Sequence, residues 1–396
     1  MATRRVTYKL YPSKTQEEML LEFTRLHCEL YNAALQERHD AWKTCRVRIT
    51  RFDQYMALSE VRKVRPEFKA LRISAMRGTL RRVDLAFAGF YRRCNEDAER
   101  KGYPKFKSYR SFSGFTYDEK SGWKLLPGKL RIANIGTMQA RGKARTIGTP
   151  KTCTIFRKSG KWYASIAFEC KPKRERPDPE AGKIGIDLGL LKLVTMSNGR
   201  EIKNPRYLKA MVDKLAEAQR ELSRKKQGSN RYKKQLLVVQ RLTEKIANRR
   251  KDFLHKITSE IVSLYNAIAI ERMEIQNMTL KGGARKARLN RSIQDAAWGV
   301  IYEMLAYKCA EARSEYIEID PRHYAPSQTC SGCGERVKKS LADRMHKCNY
   351  CGLEIDRDLN AAINIYLIAF GSGTGPCVEP LVSSSANQPS EARSYC

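Results

Sequence analysis

The sequence predicts a multidomain α+β protein, and three successive patterns of apolar residues support that prediction. Apolar residues recur at helical spacing across residues 13–100, and they alternate over short runs from about residue 104 to 171. From Lys183 onward, buried strands alternate with helices. A chain of 396 residues, 42% of them hydrophobic, can build two or three compact units that each have a core.

The first two patterns predict a β-barrel or sheet domain into which a helical bundle is inserted. Ser13 or Thr15 can cap the first helix, and a basic, proline-bounded linker at 171–177 ends this part of the chain. The predicted elements are a strand at 6–10, helices at 13–42, 51–64 and 74–100, and a β-hairpin formed by 152–157 and 162–168.

The third pattern predicts an α/β domain. Two long basic helices, broken near Gly228, fill residues 207–263, and from Gly371 the chain is rich in Gly, Ser and Pro, which predicts disorder. The predicted strands lie at 183–187, 193–196, 267–271 and 316–319, and the remaining helices at 298–312 and 358–370.

The charge balance predicts a polyanionic partner. The chain has 76 Lys and Arg against 42 Asp and Glu, a formal net charge of +34. No long apolar run predicts a transmembrane helix, and residues 1–16 lack the apolar stretch of a secretion signal, so we expect no membrane partner and a cytoplasmic protein. Five His residues without a Ser/His/Asp cluster give no support to a nucleophilic hydrolase.

Four of the 12 cysteines form two C-x-x-C pairs, Cys330 with Cys333 and Cys348 with Cys351. Each pair can place two thiolates on one metal ion, and two pairs make the tetrahedral four-thiolate site that suits one structural Zn²⁺. The remaining cysteines are scattered, as is typical of a reducing compartment. The alternatives are unrelated buried thiols, a redox pair or an iron–sulfur cluster.

Three carboxylates stand at the ends of predicted elements. Asp187 and Glu271 each close an apolar strand, and Asp358 opens a helix. If these ends converge at one sheet edge, the acids would hold two Mg²⁺ ions about 4 Å apart for phosphodiester hydrolysis. Asp356 and Asp358 do not share a helix face, so we expect only one of them to be a ligand. Alternatively, the Gly185–Gly189 turn also occurs in sugar-kinase-like ATPases, and Asp358 can be a helix N-terminal charge.

Taken together, the motifs resemble the TnpB family, the nucleases that bacterial insertion sequences encode, which are related to compact type V CRISPR effectors. The motifs occur in the family's order over residues 6 to about 370. They are YKLYP at 8–12, GYPKFK at 102–107, GIDLG at 185–189, RKDFLHK at 250–256, IE at 270–271, SQTC at 327–330 and DLNAA at 358–362.

The resemblance implies an RNA-guided DNA endonuclease that cuts double-stranded DNA beside a short motif read by the protein. The guide RNA would be encoded near the gene, with one protein per RNA. The implied domains are a wedge-like β-barrel (1–12 and 104–178), a helical recognition domain (13–103), a RuvC-like nuclease domain of RNase H fold (179–322 and 355–370), a zinc ribbon (323–354) and a disordered tail (371–396).

The resemblance also implies the catalytic acids Asp187, Glu271 and Asp358, since in the family the acid of the Asp-x-Asn-Ala-Ala motif is the ligand, which favours Asp358 over Asp356. A CRISPR effector and an RNA-guided repressor that does not cleave are the alternative functions. A transposase proper is disfavoured, since relatives do not carry strand-transfer chemistry.

Several basic residues are candidates for nucleic-acid contact. Arg344 would lie near the scissile strand, and Arg77 would reach guanine or a phosphate, but either can be a solvated surface residue. Residues of the long basic helices would contact RNA phosphates unless those helices form a solvated amphipathic hairpin. The candidates there are Arg224, Lys225, Lys226, Arg249 and Arg250.

Overall fold

The computed structural model describes residues 2–96, 101–142, 148–171, 177–178, 181–280, 282–320, 324–339 and 343–371. The chain folds into two compact units, Met1–Lys171 and Pro172–Cys396. The predicted tail lies, from residue 372 on, outside the described residues, as does most of the linker. Among the described residues, no helix is both long and apolar enough to span a bilayer.

The first unit contains an antiparallel sheet of seven strands in the order β2-β6-β7-β1-β5-β4-β3. No pairing joins the two outer strands, β2 and β3, among the described residues, so a closed barrel remains a prediction. The strands are β1 (Ala2–Tyr11), β2 (Gly114–Tyr117), β3 (Trp123–Leu126), β4 (Lys129–Ile132), β5 (Gly136–Arg141), β6 (Thr149–Lys158) and β7 (Lys161–Cys170).

Three helices separate β1 from the rest of the sheet: α1 (Lys14–Cys45), α2 (Arg51–Val64) and α3 (Ile73–Asn95). Ser13 begins α1 through a capping box with Gln16. Helix α3 packs so closely on β2 that a Cβ on Gly78 would lie 2.1 Å from the carbonyl oxygen of Thr116. Helices and sheet therefore share one hydrophobic core, in which Phe23 and Phe115 are in contact.

The second unit contains a mixed five-stranded sheet in the order β10-β9-β8-β11-β12. Strands β8, β11 and β12 are parallel, and β9 and β10 are antiparallel. Central parallel strands are buried on both faces, which explains their nearly continuous apolar sequences. The strands are β8 (Lys183–Asp187), β9 (Lys192–Met196), β10 (Glu201–Lys203), β11 (Ala267–Glu271) and β12 (Glu315–Ile319).

The helices of this unit are α4 (Val212–Ser223), α5 (Asn230–Leu264), α6 (Ile275–Met278), α7 (Ala284–Ala296), α8 (Trp298–Ala312) and α9 (Arg357–Phe370). A short hairpin of β13 (Met345–Lys347) and β14 (Glu354–Asp356) leads directly into α9. Helices α5 and α8 pack together, and α9 packs on β8. The sheet thus lies between helices, and α9 joins the cysteine segment to it.

Candidate active site and metal centre

The strand ends bring Asp187 and Glu271 to one edge of the second sheet. Strands β8 and β11 are parallel with Ile186 opposite Ile270, so the residue that follows on each strand is an acid at the same edge. Burial, together with the charges of Glu271 and Asp358, raises the pKa of Asp187 to about 8. Burial also raises the pKa of Glu271 to about 7. The ionised form of each carboxyl group is therefore disfavoured unless a positive charge binds beside it.

Asp358 completes this group from the first turn of α9. Its carboxylate is mostly buried, and it lies close enough to raise the pKa of Asp187. Arg357 Nε is 3.5 Å from Asp358 Oδ1, and the Arg357 charge lowers the pKa of Asp187. We call Asp187, Glu271 and Asp358 the acid edge. The sequence did not indicate Arg357, because nothing in its spacing distinguishes it from a surface arginine.

Asp356 has a different environment from Asp358. Its Oδ1 accepts hydrogen bonds from the backbone N–H groups of Asp358 and Leu359 and so caps α9. Its Oδ2 is 2.9 Å from Lys192 Nζ. Burial raises the pKa of Asp356, but these partners outweigh it and lower the pKa overall. Asp356 is therefore satisfied by groups of the protein itself. The choice of Asp358 as a metal ligand remains a prediction.

Close packing sets the distance between α9 and β8. A Cβ on Gly185 would lie 2.3 Å from the carbonyl oxygen of Ala362 and 2.6 Å from the backbone nitrogen of Tyr366. Only glycine permits this approach, which holds Asp358 near the end of β8. Tyr302 fixes the other strand end, since its hydroxyl donates to the carbonyl oxygen of Glu271 and accepts from the N–H of Met273. Sequence reasoning missed Tyr302, whose role depends on a tertiary contact.

The four predicted cysteines meet at one point. The Sγ atoms of Cys330 and Cys351 are 3.6 Å apart, and those of Cys333 and Cys348 are also 3.6 Å apart. A tetrahedral site with Zn–S bonds of about 2.3 Å needs thiolates about 3.8 Å apart, so the geometry fits zinc. Hydrogen bonds, first from the backbone N–H of Cys351, lower the pKa of Cys348 and favour its thiolate, whereas the pKa values of Cys333 and Cys351 are raised. We call these four residues the thiolate cluster.

The thiolate cluster and the acid edge differ in how close together their ligand atoms lie. The four thiolates all lie within 4.8 Å of one another, and within the described ranges no other group of three or more His, Cys, Asp or Glu residues does so. The acid edge is therefore more open. Its acids lie within electrostatic reach of one another but do not form one compact ligand shell.

Helix α9 connects the thiolate cluster to the acid edge. Asn360 accepts a hydrogen bond from the N–H of Ser331 and donates to the carbonyl oxygen of Thr329. Asn364, one turn later, donates to the carbonyl oxygens of Thr329 and Pro326. Both asparagines are buried, so the Cys330 turn is held against the helix whose first turn carries Asp358.

The structure places the predicted basic residues in different settings. Arg344 is exposed, and its carbonyl oxygen accepts from the N–H of Arg357. Arg77 lies over the ring of Tyr55, and its Nη1 is 3.4 Å from a carboxylate oxygen of Glu119. Its contact with guanine remains a prediction. Arg250 donates to the buried carboxylate of Asp295, which gives it a structural partner.

The remaining basic candidates lie at the end of α4, just after it, and along α5. Arg224 and Lys225 both pair with Glu221, while Lys226 and Arg249 are exposed. Exposed and weakly paired cations of this kind can exchange their partner for a phosphate at little cost. Their contact with RNA remains a prediction.

Three family models match the chain. A model described as a probable transposase matches residues 165–281, and one described as a Cas12f1-like TNB domain matches residues 298–365. A model described as a helix-turn-helix domain matches residues 1–46, where the structure has β1 and the single long helix α1. The second match spans the thiolate cluster and Asp358.

Two relatives match most of the chain. A Streptomyces pristinaespiralis protein, named as a candidate RNA-guided DNA endonuclease, is 32% identical over 94% of this chain and 90% of its own length. The Escherichia coli K12 protein InsQ, named in the same way, is 30% identical over 77% of this chain and 76% of its own length. Among solved structures, a Cas12f1 chain in complex with guide RNA and target DNA covers 92% of this chain and 98% of its own, with a TM-score of 0.60 and 14% identity.

Proposed function

Because the chain belongs to the TnpB family of RNA-guided DNA endonucleases, we propose that it cuts double-stranded DNA at the acid edge, at a target selected by a bound RNA. The observation that carries the proposal is the convergence of three mostly buried acids at one sheet edge, two of them with raised pKa values. Carboxylates in this state are stabilised when a divalent cation binds them.

We assign two Mg²⁺ ions to the acid edge, held by Asp187, Glu271 and Asp358. Bound Mg²⁺ would lower the pKa of an attacking water and stabilise the leaving oxygen of a phosphodiester. Glu271 and Asp187 would orient the ions from the ends of adjacent strands, and Asp358 would hold them from the start of α9. Arg357, beside Asp358, and Arg344, whose carbonyl oxygen accepts from the N–H of Arg357, would contact a scissile phosphate.

We assign one Zn²⁺ to the thiolate cluster, where it would be structural because protein thiolates would fill all four positions. The domain assignments follow the same family pattern: a wedge-like barrel around the first sheet, a recognition domain in α1 to α3, a RuvC-like domain around the second sheet and a zinc ribbon at the cysteines. The fold similarity to Cas12f1 supports this order.

The partners in this proposal are a guide RNA encoded near the gene and a double-stranded DNA target beside a short protein-read motif. One protein per RNA and a cytoplasmic location in a bacterium complete it. The net charge of +34 supports the RNA, because so much excess positive charge repels itself unless phosphates neutralise it. A guide–target duplex would be recognised by backbone and shape, while base pairing selects the sequence.

A plasmid assay tests the proposal. The protein purified with its RNA should cut a plasmid that carries the matched target in Mg²⁺, and cutting should stop in EDTA or after ribonuclease treatment. Tight binding to the target without cleavage at any metal concentration would instead favour an RNA-guided repressor. Cleavage by protein from which ribonuclease has removed all RNA would exclude RNA guidance.

A compact CRISPR effector is the second candidate, favoured by the fold similarity to Cas12f1. Sequencing the RNA that co-purifies with the protein distinguishes the two. A transcript from beside the gene supports the first candidate, and an RNA from a repeat–spacer array supports the second.

A further inference from the structure

A cavity of about 830 Å³ opens in the first unit, between the end of α1, the start of α2 and the second half of α3. That volume lies within the range of about 300–1,000 Å³ typical of ligand sites. The cavity is separate from every residue assigned above to metal binding or nucleic-acid contact. We call it the α1–α3 groove.

Aromatic rings line one side of this groove. The Tyr103 ring centroid lies 5.2 Å from that of Phe90 and 5.6 Å from that of Phe87, and both pairs are edge-to-face. Tyr91 stands 5.4 Å from Phe90. Phe87 is buried in the core, but Tyr91 and Tyr103 are 45% and 43% exposed. The groove therefore exposes the rings of Tyr91 and Tyr103 beside the buried ring of Phe87.

Arginines accompany these rings. The Arg48 guanidinium lies 5.9 Å from the Tyr91 ring centroid, and that of Arg38 lies 5.5 Å from the Phe87 centroid. Arg38 is more than nine-tenths buried, and its Nη2 has no hydrogen-bond partner within the described part of the chain. The one acid in the lining, Asp84, pairs with Arg38 at 3.2 Å and Arg51 at 3.8 Å, so the local charge is not negative.

This combination has a specific use in nucleic-acid recognition. Unstacked bases bind on aromatic side chains, and nearby arginines contact base edges or phosphates. The groove lining also includes the side-chain amide of Asn95, which can hydrogen-bond a ribose 2′-OH. DNA lacks that hydroxyl, and a folded RNA displays unpaired bases in loops and bulges without prior strand opening.

We propose that the α1–α3 groove binds one or more unpaired bases of the RNA that the protein carries, by stacking on Tyr91 and Tyr103 with Arg48 contacting the adjoining phosphate. The proposal rests on the proposed function insofar as it takes RNA to be a resident partner. It assigns the helical part of the first unit a direct role in holding that RNA.

Photochemical crosslinking tests the proposal in the intact protein–RNA complex. Ultraviolet irradiation followed by digestion and mass spectrometry should show ribonucleotide adducts on the peptides that contain Tyr91 or Tyr103. The absence of such adducts, with adducts present on other peptides, would overturn the proposal. Adducts there that appear only after target addition and carry deoxyribonucleotides would also overturn it, since they would identify DNA as the occupant.

Variants provide a second readout. Tyr91→Ala and Arg48→Ala should each accelerate RNA dissociation from the complex by about tenfold, because one stacked base accounts for an effect of that order. Tyr91→Phe should retain the wild-type rate. Leu85→Ala is the matched control, since Leu85 is an exposed apolar residue of the same helix that does not line the groove. Equal rates for Tyr91→Ala and Leu85→Ala would contradict the proposal.

The failure of this proposal and that of the proposed function are distinguishable. Guided plasmid cleavage is measured on the same wild-type preparation. Guided cleavage without groove adducts rejects only the groove. RNA-independent cleavage rejects the proposed function, whatever the adducts show.

Discussion

The acid edge and the thiolate cluster both depend on helix α9, but they differ in how their ligand atoms are arranged. The cysteines have all their ligand atoms within 4.8 Å of one another, and two of the Sγ pairs are 3.6 Å apart, close to the spacing in a tetrahedral site. The acids are more widely spread and come from two strands and a helix, and burial raises the pKa of two of them. A structural metal site is closed and complete, whereas a catalytic one leaves room for water and substrate.

The difference shows what α9 contributes. Its first turn supplies Asp358 to the acid edge, and its buried Asn360 and Asn364 hold the Cys330 turn. Loss of the metal from the thiolate cluster should therefore reach the acid edge through the helix, whereas replacing an acid by its amide, which keeps the shape of the side chain, should leave the cluster intact. The predictions below test this asymmetry, from the largest expected effect to the smallest.

The largest effect is expected from neutralising the acid edge. Asp187→Asn, Glu271→Gln and Asp358→Asn should each reduce the cleavage rate by more than about a hundredfold, because even the loss of a group that only supports a metal ligand costs 10- to 100-fold. Zinc content and target binding should stay unchanged. Single-turnover plasmid cleavage and a filter-binding assay measure the cleavage rate and the target binding, and elemental analysis measures the zinc.

Asp356→Asn is the matched control, because asparagine caps a helix about as well as aspartate. We expect it to retain most of the activity. An inactive Asp356→Asn with an active Asp358→Asn would reverse our choice of ligand.

The next largest effect concerns the packing of α9 on β8. Gly185→Ala should force the helix away, since the added Cβ would lie 2.3 Å from a backbone oxygen. A shift of about 1 Å at a reacting centre can cost about a hundredfold in rate, and overpacking costs about 1–3 kcal/mol of stability. Gly182→Ala, where a Cβ meets nothing within 4 Å, is the control. Equal cleavage rates for both variants would show that this contact does not position the acid edge.

The residues of these two experiments also show which parts of the site could be predicted from the sequence. The acids were predictable because each ends an apolar strand or begins a helix, and the cysteines because their spacing is that of a zinc site. Spacing alone could not separate Asp356 from Asp358, whereas the capping bonds of Asp356 do. Arg357 and Tyr302 were missed because their roles arise from contacts that local sequence patterns do not encode.

Removing one ligand of the thiolate cluster should affect cleavage less than the changes above, but it should clearly lower the stability of the protein. Cys348→Ser should lose the zinc and lower the melting temperature, because structural zinc contributes folding free energy. The cleavage rate should decrease, because the cysteine segment that is bound to α9 would become disordered. Cys45→Ser, at an exposed free cysteine, is the control. Elemental analysis that finds no zinc in active wild-type protein would remove the structural-metal assignment.

The helix α7 and the short strands β2 to β5 illustrate why the rest of the fold was not predicted. Helix α7 has four basic residues among 13 and few apolar ones, so it carries little helical periodicity. Strands β2 to β5 have four to six residues each, too few for alternation to identify them individually. Their order in the sheet depends on long-range pairing that no local pattern encodes.

The smallest effect on cleavage is expected from the last change, because it concerns metal-free protein: a pH dependence of stability. The pKa of Asp187 is about 8 in the folded state and near 4 when unfolded, so the folded state binds its proton more tightly. The corresponding stability is present below about pH 4 and is lost as the pH rises through 8. In EDTA, the melting temperature of Asp187→Asn relative to wild type should therefore increase with pH over that window. If the difference in melting temperature between Asp187→Asn and wild type does not change with pH, the pKa of Asp187 is not raised in the folded protein.

The most direct test of the central claim changes the guide. The guide end of the co-purified RNA is rewritten to match a new site beside the same adjacent motif, and the cut positions are mapped on a plasmid that carries both sites. We expect cleavage to move to the new site, to require Asp187, and to be most sensitive to mismatches near the adjacent motif, where pairing nucleates. Cleavage that remains at the original site would contradict RNA guidance and would mean that the protein reads DNA by itself.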